Sequence, residues 1–171
     1  MKLKTYLESW SKKAYLKNLP KKRMGVGCLL FNDKSQMLIL KPTYRDNWLL
    51  PGGVIEKDES PRQACIREVK EETNLDIQPS KLLCVDYVSI EKSDRTFKIE
   101  SVQFVFLGGT ISSIDKIKLP KQEISRYQIL EPETAIQTLG IHSQRRLKSC
   151  LPYFNTQKTL YLENGVLTHN L

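Results

Sequence analysis

Residues 53–75 read GVIEKDESPRQACIREVKEETNL, and inside this stretch Glu68, Glu71 and Glu72 stand within five positions of one another. The flanks predict a helix over residues 60–74. Ser60 can cap it, Pro61 suits its first turn, and Gln63 completes an S-x-x-Q capping box. Asn74 stands at the exit, where a left-handed backbone is wanted and Asn tolerates it second only to Gly. At 100° per residue, Ala64, Glu68, Glu71 and Glu72 share an arc of about 100°, and Cys65, Ile66, Val69 and Thr73 fill the adjacent one. One stripe is therefore acidic and its neighbour apolar.

Carboxylates four apart on a helix repel by a few tenths of a kcal/mol. A solvated glutamate face is the plain reading of such a triplet. Two features weigh against it. Lys70 projects away from the acidic stripe, leaving Arg67 on the flank as the positive neighbour. The stripe also borders the buried arc, where desolvation sharpens repulsion. A divalent cation would turn that repulsion into binding, and oxygen-only ligands select a hard ion, Mg²⁺ or Mn²⁺, over zinc.

The full stretch resembles the Nudix box, G-x5-E-x7-R-E-U-x-E-E-x-G-U, where U is a bulky aliphatic residue. Gly53, Glu59, Arg67, Glu68, Val69, Glu71, Glu72 and Leu75 match in register. The departure is Asn74 in place of glycine, a mild change if the position needs only a left-handed backbone. The preceding NWLLPGG (47–53) is similar to the family's WxLPGG-like entry. The resemblance covers roughly residues 21 to 135.

That resemblance implies an α/β (α+β) fold, an α/β/α sandwich with a mixed central sheet and a catalytic helix at about 60–74. It also implies hydrolysis of a nucleoside diphosphate linked to another moiety, by attack of water on phosphorus. Carried over by position, Glu68 and Glu72 are the leading metal ligands, with Glu71 near them and the Gly52 carbonyl adding a backbone oxygen. Arg67 would orient the cluster, and Glu59 would pair with it or reach a metal through water. An ion pair that only fixes loop to helix explains Arg67 and Glu59 equally well. The general base varies in the family; Glu123, in LPKQEISRYQIL (119–130), is a candidate beside the box glutamates. Tyr44, Arg45 and Trp48 are candidates for stacking on or clamping a nucleotide, although Trp48 also begins an apolar run that suits a core. The implied substrate is a small nucleotide: a nucleoside triphosphate, ADP-ribose or another nucleotide sugar. A nucleotide-binding regulator without hydrolysis, or an RNA-directed pyrophosphohydrolase, are the alternatives. The resemblance leaves the oligomeric state open, a homodimer included.

The rest of the chain bounds these readings. With 171 residues, 40% hydrophobic and 27% charged, one soluble domain with a real core is expected. No apolar run approaches the ~20 residues of a membrane span, and MKLKTYLESWSKK lacks the apolar centre of a secretory signal, so cytoplasm is the expected setting. Cys28, Cys65, Cys84 and Cys150 are scattered and expected to be reduced and buried. His142 and His169 are too few and too distant for a histidine-based zinc site or a Ser-His-Asp triad.

The net charge of +8 is concentrated: residues 1–23 hold eight basic residues against Glu8 alone. Leu3, Tyr6, Leu7, Trp10 and Ala14 sit at helical spacing there, which predicts a basic amphipathic extension over residues 1–20. Docking of its apolar stripe on the domain is the plainer role, acidic lipid or nucleic acid the sharper one. A domain over 21–155 and a tail over 156–171 complete the expected organisation. Within it, MGVGCLLF (24–31), NDKS and QMLIL read as a hairpin. LLCVDYVSI (82–90) and FKIESVQFVFLG (97–108) read as strands around EKSDRT. PETAIQTL (132–139), closed by Gly140, and SQRRLKSCL read as helices, and TLYLENG (159–165) as a possible short strand.

Overall fold

The computed structural model describes residues 12–91, 98–111 and 113–168. Residues 1–11, 92–97, 112 and 169–171 lie outside the described residues, and with them most of the segment expected to be an amphipathic helix and His169. Helices α1 (Lys12–Asn18), α2 (Pro61–Thr73), α3 (Pro132–Thr138) and α4 (Ile141–Cys150) are described together with seven strands. These are β1 (Arg23–Phe31), β2 (Met37–Pro42), β3 (Lys81–Glu91), β4 (Lys98–Thr110), β5 (Ile124–Leu130), β6 (Leu160–Glu163) and β7 (Val166–Leu167).

The strands form one mixed sheet in the order β5-β2-β1-β4-β3-β6-β7. β1 runs parallel to β4 and β3 parallel to β6, while the remaining neighbours are antiparallel. Alternation along β1 decides the two layers. Val26, Cys28 and Leu30 face Ala64, Cys65 and Val69 of α2. Leu29 faces the opposite side, in a cluster with Ala135, Ile136, Leu147 and Cys150 of α3 and α4. Helices thus cover both faces of the sheet, which is the sandwich expected from the sequence.

The hairpin from β1 to β2 turns where expected. Asn32 Oδ1 accepts from the backbone N–H of Lys34 at 3.0 Å and of Gln36 at 2.8 Å, an Asx-type closure. β5 has no counterpart in the sequence reading. ISRYQIL buries Ile124 and leaves much of the strand exposed, because it is the sheet's edge and pairs only with β2. Its ladder comes from a partner distant in sequence, so no strong local alternation announces it.

β6 and β7 continue the sheet beyond β3. All four cysteines are free and buried. They meet in twos: Cys28 of β1 beside Cys65 of α2, and Cys84 of β3 beside Cys150 of α4. The partner thiol and burial hold the Cys28 thiol well above its usual range.

Candidate active site

Helix α2 starts as the local sequence dictates. Ser60 Oγ accepts from the N–H of Gln63 at 3.2 Å, and Gln63 Oε1 accepts from the N–H of Ser60 at 2.9 Å. The helix ends at Asn74, which adopts φ 63° and ψ 12° and donates its backbone N–H to Lys70. The left-handed backbone inferred for this position is therefore present. Lys70 turns to Asp76 at 2.9 Å, away from the acidic stripe.

The segment before α2 lies along the part of β1 that β2 leaves open. Val26 N–H donates to Gly53 O and Cys28 N–H to Pro51 O, both at 2.8 Å. Two glycines permit this approach. A side chain on Gly52, at φ 144°, would place Cβ 2.2 Å from Val26 O. A side chain on Gly53 would meet the Glu68 carboxylate at 2.5 Å. Backbone and carboxylate occupy the space that any larger residue would need.

Arg67 is the hub of the acidic cluster. Its Nε and Nη2 grip both oxygens of Glu59, at 2.8 and 2.9 Å. Nη1 donates to Glu68 Oε1 at 2.9 Å and to Glu71 Oε2 at 3.0 Å, and Nη2 also reaches Val54 O at 3.1 Å. These contacts raise the Arg67 pKa and hold Glu59 below the usual carboxylate range.

Glu72 is treated differently. It is only 8% exposed, and one carboxylate oxygen accepts from the N–H of Gly52 at 2.8 Å. Burial pushes its pKa up to about 8, opposed by that hydrogen bond and reinforced by the charges of Glu68, Glu123 and Glu71. Glu68 is raised as well, again chiefly by burial. Desolvation and neighbouring carboxylates thus act together on this stripe of α2.

Glu68, Glu72 and Glu123 line a single cleft of about 740 Å³ together with Gly52 and Gly53. Tyr44 and Arg45 also line it, with the Arg45 guanidinium 5.2 Å from the Tyr44 ring centre. Glu123 comes from the turn before β5 and is held near the Tyr44 loop by the Thr43 N–H, which donates to Glu123 O at 2.8 Å. Glu71, its side chain 56% exposed, and Glu59 stand behind the cleft on Arg67. Trp48 also stays outside the lining: it packs on the α3 and α4 side of the core, with Arg126 5.4 Å from its ring centre. Val69 and Leu75 are core residues beneath α2.

The donor set fits a hard divalent cation. Among the described residues no three acidic, histidine or cysteine side chains converge as a closed cage. Glu68 and Glu72 instead present two carboxylates, one turn apart, on an open cleft wall. Mg²⁺ is usually held by one or two carboxylates, with water and substrate phosphate completing its shell. Pro51 O and Gly53 O are consumed by β1, whereas the intervening Gly52 O has no partner among the described residues.

A NUDIX domain model matches residues 21–149. The chain belongs to the Nudix family. Like its relatives, it is a hydrolase of the class acting on phosphoric anhydride bonds. It is 28% identical over 115 residues to the RNA pyrophosphohydrolase of Hydrogenovibrio crunogenus, a match covering 62% of this chain and 70% of that protein. It is 40% identical over 124 residues to the m7GpppN-mRNA hydrolase of Saccharomyces cerevisiae, covering 66% of this chain but 11% of that much longer protein. Among solved structures, the MutT protein of Methanosarcina mazei Go1 superposes with a TM-score of 0.58 at 27% identity, covering 72% of this chain and 88% of the other. Nudix hydrolases generally use a divalent metal, which agrees with the donor set on α2.

The far end of the cleft went unread in the sequence. Arg23, Ser101, Gln103, His142, Ser143 and Arg146 line it. No local pattern marks them, because β1, β4 and α4 meet only in the folded sheet. SQRRLKSCL signals a helix, and nothing in it says that Arg146 is the buried arginine and Arg145 the exposed one.

Proposed function

We propose that this Nudix protein hydrolyses the pyrophosphate bond of a nucleoside diphosphate linked to another moiety, using Mg²⁺ or Mn²⁺ held by Glu68 and Glu72 with the Gly52 carbonyl. The observation that carries the proposal is Glu72: a buried carboxylate lining one cleft with Glu68 and Glu123, its pKa pushed up to about 8 by burial and by the charges of its neighbours. A buried cluster of that sign is costly unless a cation completes it. When bound, such a cation neutralises phosphate oxygens and acidifies water.

The chain's own residues do the rest. Arg67 fixes the rotamer of Glu68 and ties it to Glu59 and Glu71, so the carboxylates stay placed while substrate binds. Glu123, which lines the cleft, is our candidate to accept a proton from attacking water. Tyr44, 64% exposed beside Arg45, offers a stacking face and a cation for the nucleotide at the cleft mouth. Positioning and charge stabilisation account for most of the rate in phosphoryl transfer, and this layout supplies both.

Two relatives act on RNA by name, which favours a second reading in which an RNA 5′ end is the substrate. The lysines before β1 would support it. A cytoplasmic setting suits either reading, since four free thiols belong in a reducing compartment. The test is a panel of nucleoside triphosphates, nucleotide sugars, ADP-ribose and triphosphorylated RNA, each with Mg²⁺ and with EDTA. Small-nucleotide turnover that is metal-dependent and weakly dependent on salt supports the first reading. Preference for RNA that collapses between 50 and 200 mM salt supports the second.

A further inference from the structure

We propose that Arg146, with His142 and Ser143, forms a subsite that takes the neutral, carbonyl-bearing edge of a nucleobase, guanine above all. The inference rests on the nucleotide-hydrolase reading and names the part of the substrate that the far end of the cleft recognises. The cleft runs from the acidic wall, past Gly25 and Gly27 of β1, to the first turns of α4.

Arg146 is 7% exposed and lines this end. Its Nε donates to Asp86 Oδ2 at 2.8 Å, and Asp86 is fully buried in β3. The other oxygen of Asp86 accepts from the N–H of Gly165 at 3.0 Å. Gly165 sits in the turn between β6 and β7, where its carbonyl accepts from Ser149 Oγ at 2.7 Å and its neighbour Asn164 accepts from the N–H of Ser89 at 2.8 Å. The C-terminal hairpin therefore locks Asp86, and Asp86 locks one edge of the guanidinium. The two Nη groups have no hydrogen-bond partner among the described residues. His142, beside them on α4, has a buried Nδ1 that also lacks a partner. Ser143 and Gln103 add polar groups to the same wall.

Charge decides what this wall accepts. An arginine fork matches two adjacent acceptors, whether in phosphate, carboxylate or the O6 and N7 of guanine. Here Asp86 already neutralises Arg146. An anion brought to the pair would lose its water without gaining an uncompensated cation. A neutral edge with two acceptors gives up far less and still satisfies both Nη groups. The Arg146–Asp86 pair therefore suits the neutral edge of a base, while the phosphates find their partner at the acidic end, where a cation can bridge them.

The test uses the full chain and guanosine, which carries no phosphate. Only two histidines occur in the sequence, so ring ¹H–¹⁵N spectra give two sets of signals, and H142Q assigns one of them. Guanosine is expected to shift the His142 set saturably at millimolar concentration, adenosine several-fold more weakly, and inorganic phosphate not at all. R146K keeps a cation on Asp86 but loses the fork. It should melt within a few degrees of wild type, bind guanosine at least tenfold more weakly, and raise KM for GTP tenfold with kcat within about threefold. A His142 shift by phosphate in place of guanosine would overturn the proposal. So would a folded R146K that binds guanosine as wild type does, or that lowers kcat at unchanged KM. Guanosine binding as described in a protein that turns over no nucleotide would leave the subsite standing and remove the hydrolase reading.

Discussion

Both oxygens of Glu59 are held by Arg67, Nε to Oε1 at 2.8 Å and Nη2 to Oε2 at 2.9 Å, and the same guanidinium reaches Glu68 and Glu71 through Nη1. A loop residue and two helix carboxylates thus share one rigid fork. Lysine carries the charge but cannot span these acceptors. R67K is expected to cost about 1–2 kcal/mol, a drop of a few degrees in Tm, through partly unsatisfied carboxylates. Its kcat should fall more than tenfold because Glu68 loses its fixed orientation. Thermal melts and steady-state kinetics check both; a loss of Tm with kcat unchanged would make the fork purely structural.

Glu72 tests the purpose of the acidic cluster. Its folded pKa, about 8, lies above the ordinary glutamate value. The stability it contributes is fully present below about pH 4.5 and is lost as pH rises through about 8. E72Q removes that loss and keeps an acceptor for the Gly52 N–H. In EDTA the mutant should equal wild type near pH 4.5 and exceed it progressively toward pH 8. The gain should reach roughly 4–5 kcal/mol at pH 8, since each pH unit between the ordinary glutamate value and about 8 is worth about 1.4 kcal/mol. Catalysis should fall about a hundredfold or more, equivalent to ~3 kcal/mol of transition-state stabilisation. An apo mutant less stable than wild type at pH 8, with kcat intact, would show that Glu72 serves the fold.

Metal removal gives a separate readout. Exhaustive EDTA treatment should abolish turnover, and added Mg²⁺ or Mn²⁺ should restore it. Saturating Mg²⁺ should also raise the Tm of wild type, because the ion binds the folded state, and the rise should largely vanish in E72Q. Full activity in the metal-free protein would remove the cation from the mechanism.

Asn74 replaces the glycine of the family pattern at φ 63°. N74G is expected to keep kcat within about twofold. The side chain makes one long contact, Nδ2 to Lys116 O at 3.4 Å. Relief of left-handed strain should offset its loss and glycine's larger unfolded-state entropy, for a net change within about 0.5 kcal/mol. A large drop in kcat with unchanged melting would mean that the Asn side chain contacts substrate.

Helix α2 was legible because its information is local. A capping box, a left-handed exit and a 3.6-residue stripe are contacts among residues a few positions apart, and they form as the sequence alone demands. The β1–β2 hairpin and the two long strands were legible for the same reason, through turn residues and apolar runs. β5 was not, because an edge strand is defined by the partner it pairs with. Nor was the choice between stacking and packing at Trp48, which fell to the core once α3 and α4 closed over that face.

The sequence by itself determined the family, the acidic helix and the glycine turn before it, since each depends on short-range sterics and spacing. Only the tertiary structure decided what those groups face. Burial against Gly52 raises Glu72, the turn before β5 brings Glu123 to the cleft, and a hairpin near the C-terminus sets Arg146 on Asp86, 60 residues away in the chain. Desolvation and long-range pairing depend on where the backbone ends up. No local pattern of residue types encodes them.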